Sequence, residues 1–201
     1  MSAQFPLMVT SHSDKQIHIF DLSKVATQQY GPVHLTESCL KEATSAISCF
    51  GSGKGYAVGS IEGRCSIVNV DFSKIEDENS GDFCFKCHRK DIANTSYTTA
   101  AESEAWTVNA IAFNKAHDTF ATCGSDGHWV IWNKDSRSRY KSSNKAALPI
   151  TAACFSKDAQ IFLHAHGEDW SQGAETSAQR QNVVKLFARH CDTQDVIKNK
   201  K

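Results

Sequence analysis

Cys84-Phe85-Lys86-Cys87-His88 is the densest group of residues equipped for chemistry, and it spells C-x-x-C-H. Two thiols and an imidazole at this spacing are the string that attaches c-type haem, and a C-x-x-C pair is half of a zinc site. The surrounding residues argue against both uses. Phe83 to Cys87 reads as a strand, so Cys84 and Cys87 point to opposite faces. Met1 and Met8 are the only methionines for a second axial ligand, and His117 and Cys123 lack the paired spacing of a second zinc-ligand pair. G-x-S-x-G, the P-loop and H-E-x-x-H are all missing from the sequence. The reading is therefore of no catalytic residues, no metal and no cofactor. A metal or redox enzyme at Cys84, Cys87 and His88 is the alternative from another functional class.

A second chemistry is carried by cations beside aromatic rings. Arg64, Lys86 and Arg89 surround Phe85, and Lys134, Arg137, Arg139 and Lys141 follow Trp132. If neighbouring sheets set these edges side by side, a cleft results with several cations and Phe85 and Trp132 within it. Such a cleft suits phosphates with stacked bases, or an acidic peptide held by charge-assisted hydrogen bonds. Arg64 and Arg137 would supply planar bidentate contacts, and Phe85 would stack. The formal net charge is zero, so any nucleic-acid contact must come from a local patch of this kind.

The elements that must position these residues are short strands. Asn109 to Asn133 holds three of them, Ala110–Phe113, Thr119–Thr122 and Trp129–Trp132. Period-two alternation and turns at Asn114–Asp118 and Ser125-Asp126-Gly127 make this an antiparallel meander. Its ending, Ser-Asp-Gly then Trp-Asn, resembles the WD-repeat signature, in which Asp126 and Trp132 would join a hydrogen-bonded cluster that pins the blade. His88 falls where the histidine of such a repeat belongs, before the inner strand of the next blade, and a structural role is expected for it. The pattern recurs at Met8, Ala57, Phe120 and Phe162, at intervals of about 49, 63 and 42 residues. The shortest interval is one propeller blade, so the others carry insertions. Phe20 and Val68 replace the signature Trp and Glu62 the Asp, so those blades must be held more by packing. The expectation is an all-β partial WD-repeat propeller with about four blades, at about 1–30, 44–88, 106–140 and 149–190.

Taken in order, residues 1–7 lead straight into a second-strand position, so the chain is expected to begin in mid-blade. Glu37–Ala43 reads equally as a helical turn or a polar connection. Lys74–Asp82 is an acidic loop, Arg89–Ala105 a Ser/Thr/Asn-rich insertion, and Val183–Phe187 a closing strand. Cys49, Cys65, Cys123 and Cys154 lie in or beside strand runs, where free Cys acts as a small apolar residue. Met1–Pro6 shows no secretory signal, and eight reduced thiols are expected. No run approaches the roughly 18 apolar residues of a transmembrane helix.

Several segments, in one order, resemble a single family. They are Tyr56 to Arg64, Phe85 to Arg89, and Val108 to Phe113 with Gly124 to Gly127. The family is the WD-repeat mRNA export factor of the nuclear pore, with the mitotic spindle-checkpoint propeller as its sister and as the alternative reading. Glu168-Asp169-Trp170-Ser171-Gln172-Gly173 is similar to the export branch, departing at Glu168 and Gln172. The resemblance implies a seven-bladed, non-enzymatic scaffold, of which this chain would be the C-terminal part. It implies partners in an FG-repeat nucleoporin with an acidic GLEBS-type motif and in RNA or mRNP, with no small-molecule substrate and no membrane insertion. It implies a nuclear, nuclear-envelope, nuclear-pore and also cytoplasmic location. By position it assigns Arg64, Phe85, Lys86, Trp132, Lys134, Arg137 and Arg139 to the binding face. A chain of about four blades would lack the pairing of terminal segments that closes such a ring.

Overall fold

Strands of three to seven residues separated by turn-forming residues give a series of small antiparallel sheets in the computed structural model. It describes residues 1–27, 29–74, 81–92, 103–117, 119–171, 173 and 184–192. The first sheet is β1 (Ser2–Gln4), β2 (Leu7–Ser11), β3 (Gln16–Asp21) and, after a short 3₁₀ helix over Leu22–Thr27, β4 (His34–Glu37). The second is β5 (Thr44–Cys49), β6 (Gly55–Ser60), β7 (Arg64–Asn69) and β8 (Phe83–Lys86). A hairpin of β9 (Arg89–Asp91) and β10 (Ser103–Ala105) leads to the third sheet. That sheet is β11 (Val108–Asn114), β12 (Thr119–Gly124), β13 (Trp129–Asn133) and β14 (Ser138–Ser142). The fourth is β15 (Ile150–Phe155), β16 (Ile161–His166) and β17 (Lys185–His190). In each sheet sequential strands are hydrogen-bonded neighbours, the meander order of a propeller blade.

The core lies between blades. Leu7, Val9, Ile17 and Ile19 of the first meet Tyr56 and Val58 of the second. Ala57, Cys65 and Ile67 meet Ile111, Phe113 and Phe120 of the third. Ala121, Cys123, Trp129 and Ile131 meet Ile150 and Phe162 of the fourth. Alternation therefore sends odd and even positions of one strand into two different cores. All six residues of β6 and all six of β12 are buried, whereas β2 and β16 in the outer blades expose part of one face.

A second device joins the blades. Each of β5, β11 and β15 carries a bulge at the same place, at Ser45, Asn109 and Thr151. A bulge re-aims one side chain out of the ladder. Ser45 Oγ donates to the Val108 carbonyl at 2.7 Å, and Asn109 Nδ2 donates to the Ile150 carbonyl at 3.1 Å. The first two bulges thus bond the first strand of the following blade, while Thr151 Oγ1 donates to the Ala165 carbonyl of its own sheet.

Three expectations are corrected, and the reading left open at Glu37–Ala43 is settled. The chain does not begin in mid-blade: Ser2–Gln4 pairs with Leu7–Val9, an inner strand too short and polar to show alternation. Glu37–Ala43 is no helix, because Glu37 ends β4 opposite Gln16 and an irregular connection follows. The closing strand is Lys185–His190, set by its pairing with Ile161–His166, where Val183–Phe187 was expected. Cys49, Cys65 and Cys123 are buried as anticipated, but Cys154 is exposed because the fourth blade has an uncovered face. Residues 75–80, 93–102, 174–183, Gln172 and the tail from 193 lie outside the described residues. So does most of each loop read at Lys74–Asp82 and Arg89–Ala105, though the stem of the latter is the β9–β10 hairpin. Among the described residues no helix is long and apolar enough to cross a membrane.

Candidate partner-docking seam between the second and third blades

Phe83 and Phe85 alternate onto the face of β8 turned to the third blade, where Phe120 and Trp132 stand opposite each other on β12 and β13. A continuous line of rings results. Phe50 lies 5.1 Å from Phe113 between centroids, Phe113 lies 5.0 Å from Phe120, and Phe120 lies 6.3 Å from Phe85. Phe85 then lies 4.8 Å from Trp132 and 5.9 Å from Phe83. Tilted and edge contacts at these separations follow the ring quadrupole and add about 0.5–1.5 kcal/mol per pair beyond area burial.

Cations close both ends of the line. The Arg137 guanidinium lies over Phe83 at 4.5 Å, and Lys134 Nζ lies over Phe50 at 5.5 Å. Arg137 sits in the β13–β14 turn with φ at 50°, donates to the Gly81 carbonyl at 3.4 Å, and is exposed. Lys134 also meets Asp135 at 2.7 Å. Arg139 is exposed on β14 opposite Trp132 and lines a groove of about 410 Å³ with Lys90, Trp106, His128 and Lys145. The structure thus brings Phe85, Trp132, Lys134, Arg137 and Arg139 to one seam.

Arg64 and Lys86 are not part of it. They are register partners on β7 and β8, one residue out of phase with the Cys65–Phe85 pair, so they occupy the other face of the sheet. Arg64 Nε lies 3.3 Å from Glu62, which also meets Arg89 Nη1 at 3.6 Å, and Lys86 Nζ lies 3.2 Å from Asp91. This corrects the single cleft read from the sequence, where adjacency along a strand was taken for adjacency in space. Phe85 is not a free platform either, since Trp132 and Phe120 already cover its ring. Sequence reading missed Phe50 and Phe83 as the rings beneath the cations. Phe83 was accessible from its two-residue spacing to Phe85.

The C-x-x-C-H string resolves into three separate roles. Cys84 meets Cys39, while Cys87 Sγ contacts the Gly63 carbonyl at 3.3 Å. His88 is 1% exposed and commits both nitrogens, with Nδ1 2.9 Å from Asp126 and Nε2 3.0 Å from Thr122 Oγ1. Trp132 Nε1 donates to the same hydroxyl at 2.9 Å. The consistent proton pattern runs from indole to hydroxyl, from hydroxyl to imidazole, and from imidazole to carboxylate. Burial pushes the Asp126 carboxyl up, but hydrogen bonds from His88 and from the His128 backbone outweigh it and hold the group below its ordinary value. Neither imidazole nitrogen is left for a metal. Gly124 makes room for the ring, since a Cβ there would come within 2.5 Å of His88 Nδ1.

The Glu168–Gly173 segment is tied to the third blade. Asp169 accepts from Asn109 Nδ2 at 2.8 Å, from the Ser125 hydroxyl and from the Ser171 backbone at 3.1 Å. Burial opposes its ionisation, yet these donors hold its carboxyl below the ordinary value. Trp170 beside it is 65% exposed at φ 62°.

The profile of the WD domain, G-beta repeat, matches residues 94–133. The "Poly(A)+ RNA export protein" of Schizosaccharomyces pombe is 36% identical over 199 residues, covering 98% of this chain and 51% of that protein. "Protein RAE1" of Arabidopsis thaliana is 35% identical, covering 87% and 45%. The "mRNA export factor" of Danio rerio is 34% identical, covering 98% and 51%. A chain in the "Crystal Structure of Mitotic Checkpoint Complex" matches the fold with a TM-score of 0.59 at 16% identity, covering 83% of this chain and 43% of that one. The radial sheets, the His88–Asp126–Thr122–Trp132 network and these relatives agree. The chain has the fold of a WD-repeat β-propeller, with the repeat itself matched at residues 94–133, and is similar over nearly all its length to mRNA export factors, of whose length it spans about half.

Proposed function

We propose that the chain is part of a non-enzymatic scaffold in mRNA export, acting between nucleus and cytoplasm at the nuclear pore. The names of its relatives, an RNA export protein and an mRNA export factor, support the process. The docking reading rests on one observation: exposed Arg137 and Arg139 and half-buried Lys134 stand beside a line of aromatic rings at one blade seam. That arrangement suits an extended acidic segment, such as a GLEBS-type nucleoporin motif. Carboxylates would pair with the two guanidiniums while apolar side chains cover the ring edges. RNA phosphates would meet the same cations, with the polyanion contact confined to this patch because the chain is neutral overall.

The test is titration of the protein with a labelled acidic GLEBS-type peptide. Arg137→Glu with Arg139→Glu should weaken binding by about a hundredfold, since each reversal removes a charge-assisted contact and adds repulsion. Arg64→Glu, on the other face, should change affinity less than about threefold. An unchanged affinity in the double variant, or a larger loss from Arg64→Glu, rejects the seam as the docking surface.

A further inference from the structure

Cys84 was singled out with Cys87 as a C-x-x-C pair, yet the structure gives it a different partner. Its Sγ stands 2.6 Å from Sγ of Cys39, a residue 45 positions earlier in the connection between β4 and β5. Cys39 Sγ also lies 3.1 Å from Ser66 Oγ on β7, and both cysteines are exposed. No hydrophobic contact requires two thiols to meet at a solvent-facing position. The other six cysteines differ: Cys49, Cys65, Cys123 and Cys191 are buried, Cys87 faces the Gly63 carbonyl, and exposed Cys154 has no thiol against it among the described residues.

We propose that Cys39 and Cys84 form a redox-reactive dithiol that closes to a disulfide by exchange with a low-molecular-weight disulfide of the glutathione class. The bond would fasten β8, the outer strand of the second blade, to the segment that enters that blade from the first. Thiol–disulfide exchange needs an accessible thiolate, a disulfide to attack and a second thiol within reach. The Cys39 thiolate attacks one sulfur of glutathione disulfide, whose S–S bond breaks and releases one glutathione thiol. Cys84 then gives up its proton and attacks the Cys39 sulfur, displacing the second glutathione. Two cysteine thiols and one glutathione disulfide become one protein disulfide and two glutathione thiols, with no other oxidant. Burial, together with the hydrogen shared with Cys39, pushes the Cys84 thiol up to about 11, against the pull of Arg64. Standing 2.6 Å from the Cys39 sulfur, Cys84 is placed to close the mixed disulfide. The bond would close a loop of 45 residues, which restricts the unfolded chain strongly.

The experiment incubates the purified protein in buffers of rising glutathione disulfide to glutathione ratio, quenches it with acid and an alkylating agent, and maps peptides without reduction. The expected result is a peptide pair linked through Cys39 and Cys84, two fewer alkylatable thiols, reversal by dithiothreitol, and a Tm several degrees higher in the oxidised form. Cys84→Ser should instead accumulate glutathione on Cys39. The proposal is overturned if wild-type protein carries separate glutathiones on Cys39 and Cys84. It is also overturned if both stay free at ratios that modify Cys154. The readout is bond formation, so it is independent of whether the seam binds a partner.

Discussion

His88 Nδ1 stands 2.9 Å from the Asp126 carboxylate, joining the residue just beyond the outer strand of the second blade to the β12–β13 turn of the third. The imidazole is fully enclosed, so the contact is made in a low dielectric and its loss leaves a largely covered carboxylate short of a donor.

His88→Ala should lower unfolding stability by about 2–4 kcal/mol, combining lost hydrogen bonds with unsatisfied partners at Asp126 and Thr122. Urea denaturation measures it directly. His88→Ala with Asp126→Ala should cost less than the sum of the singles, because the two act through one network. The Asp126 carboxyl is depressed in the folded state, so its stabilisation is present above the ordinary carboxylate range and is lost as pH falls through the folded value. Asp126→Asn should therefore flatten the acid limb of the stability profile below about pH 4.

Asn109→Ala should loosen the third blade from the fourth. Its amide bonds both the Ile150 carbonyl and Asp169, and neither gains a replacement in the variant. A loss of about 1–3 kcal/mol is expected, with faster amide hydrogen exchange concentrated in Ile150–Phe155 and unchanged exchange in the first blade. Uniform exchange across all blades would show that the bulge residue is not a local stitch.

His164 gives a separate pH dependence. It is buried between Phe162 and Phe187, with His166 Nε2 2.8 Å from its Nδ1 and Arg189 nearby. Burial first, then the charges of His166 and Arg189, lowers its pKa from 6.5 to about 4. The unfolded chain binds this proton more readily than the fold does. Stability should thus fall as pH drops from about 6.5 to about 4 and change no further from this group below that. His164→Phe should remove most of that dependence in thermal unfolding at pH 7 and pH 5, whereas an identical slope in the variant would assign it to other groups.

Much of the architecture was legible because blades are local. Asn109 to Asn133 announces three strands by alternation and turn chemistry, and the His88, Asp126 and Trp132 signature residues do meet through Thr122. Cys84 and Cys87 do have different neighbours, but β8 ends at Lys86, so Cys87 has left the strand along which the two were expected to alternate. The three-residue strand Ser2–Gln4 was not legible, because so few polar residues carry no period.

Sequence by itself determined which residues alternate, where chains turn, and so that four small meanders must stack through apolar faces. Only the tertiary structure decided which face of β8 meets which neighbour. It put Phe83 and Phe85 with Trp132 and Arg137 on one side, and Arg64, Lys86 and the Cys39–Cys84 pair on the other. The physical reason is that strand alternation fixes two sides but not their identity. That identity comes from the order and packing of whole sheets, which residues far apart in the chain settle together.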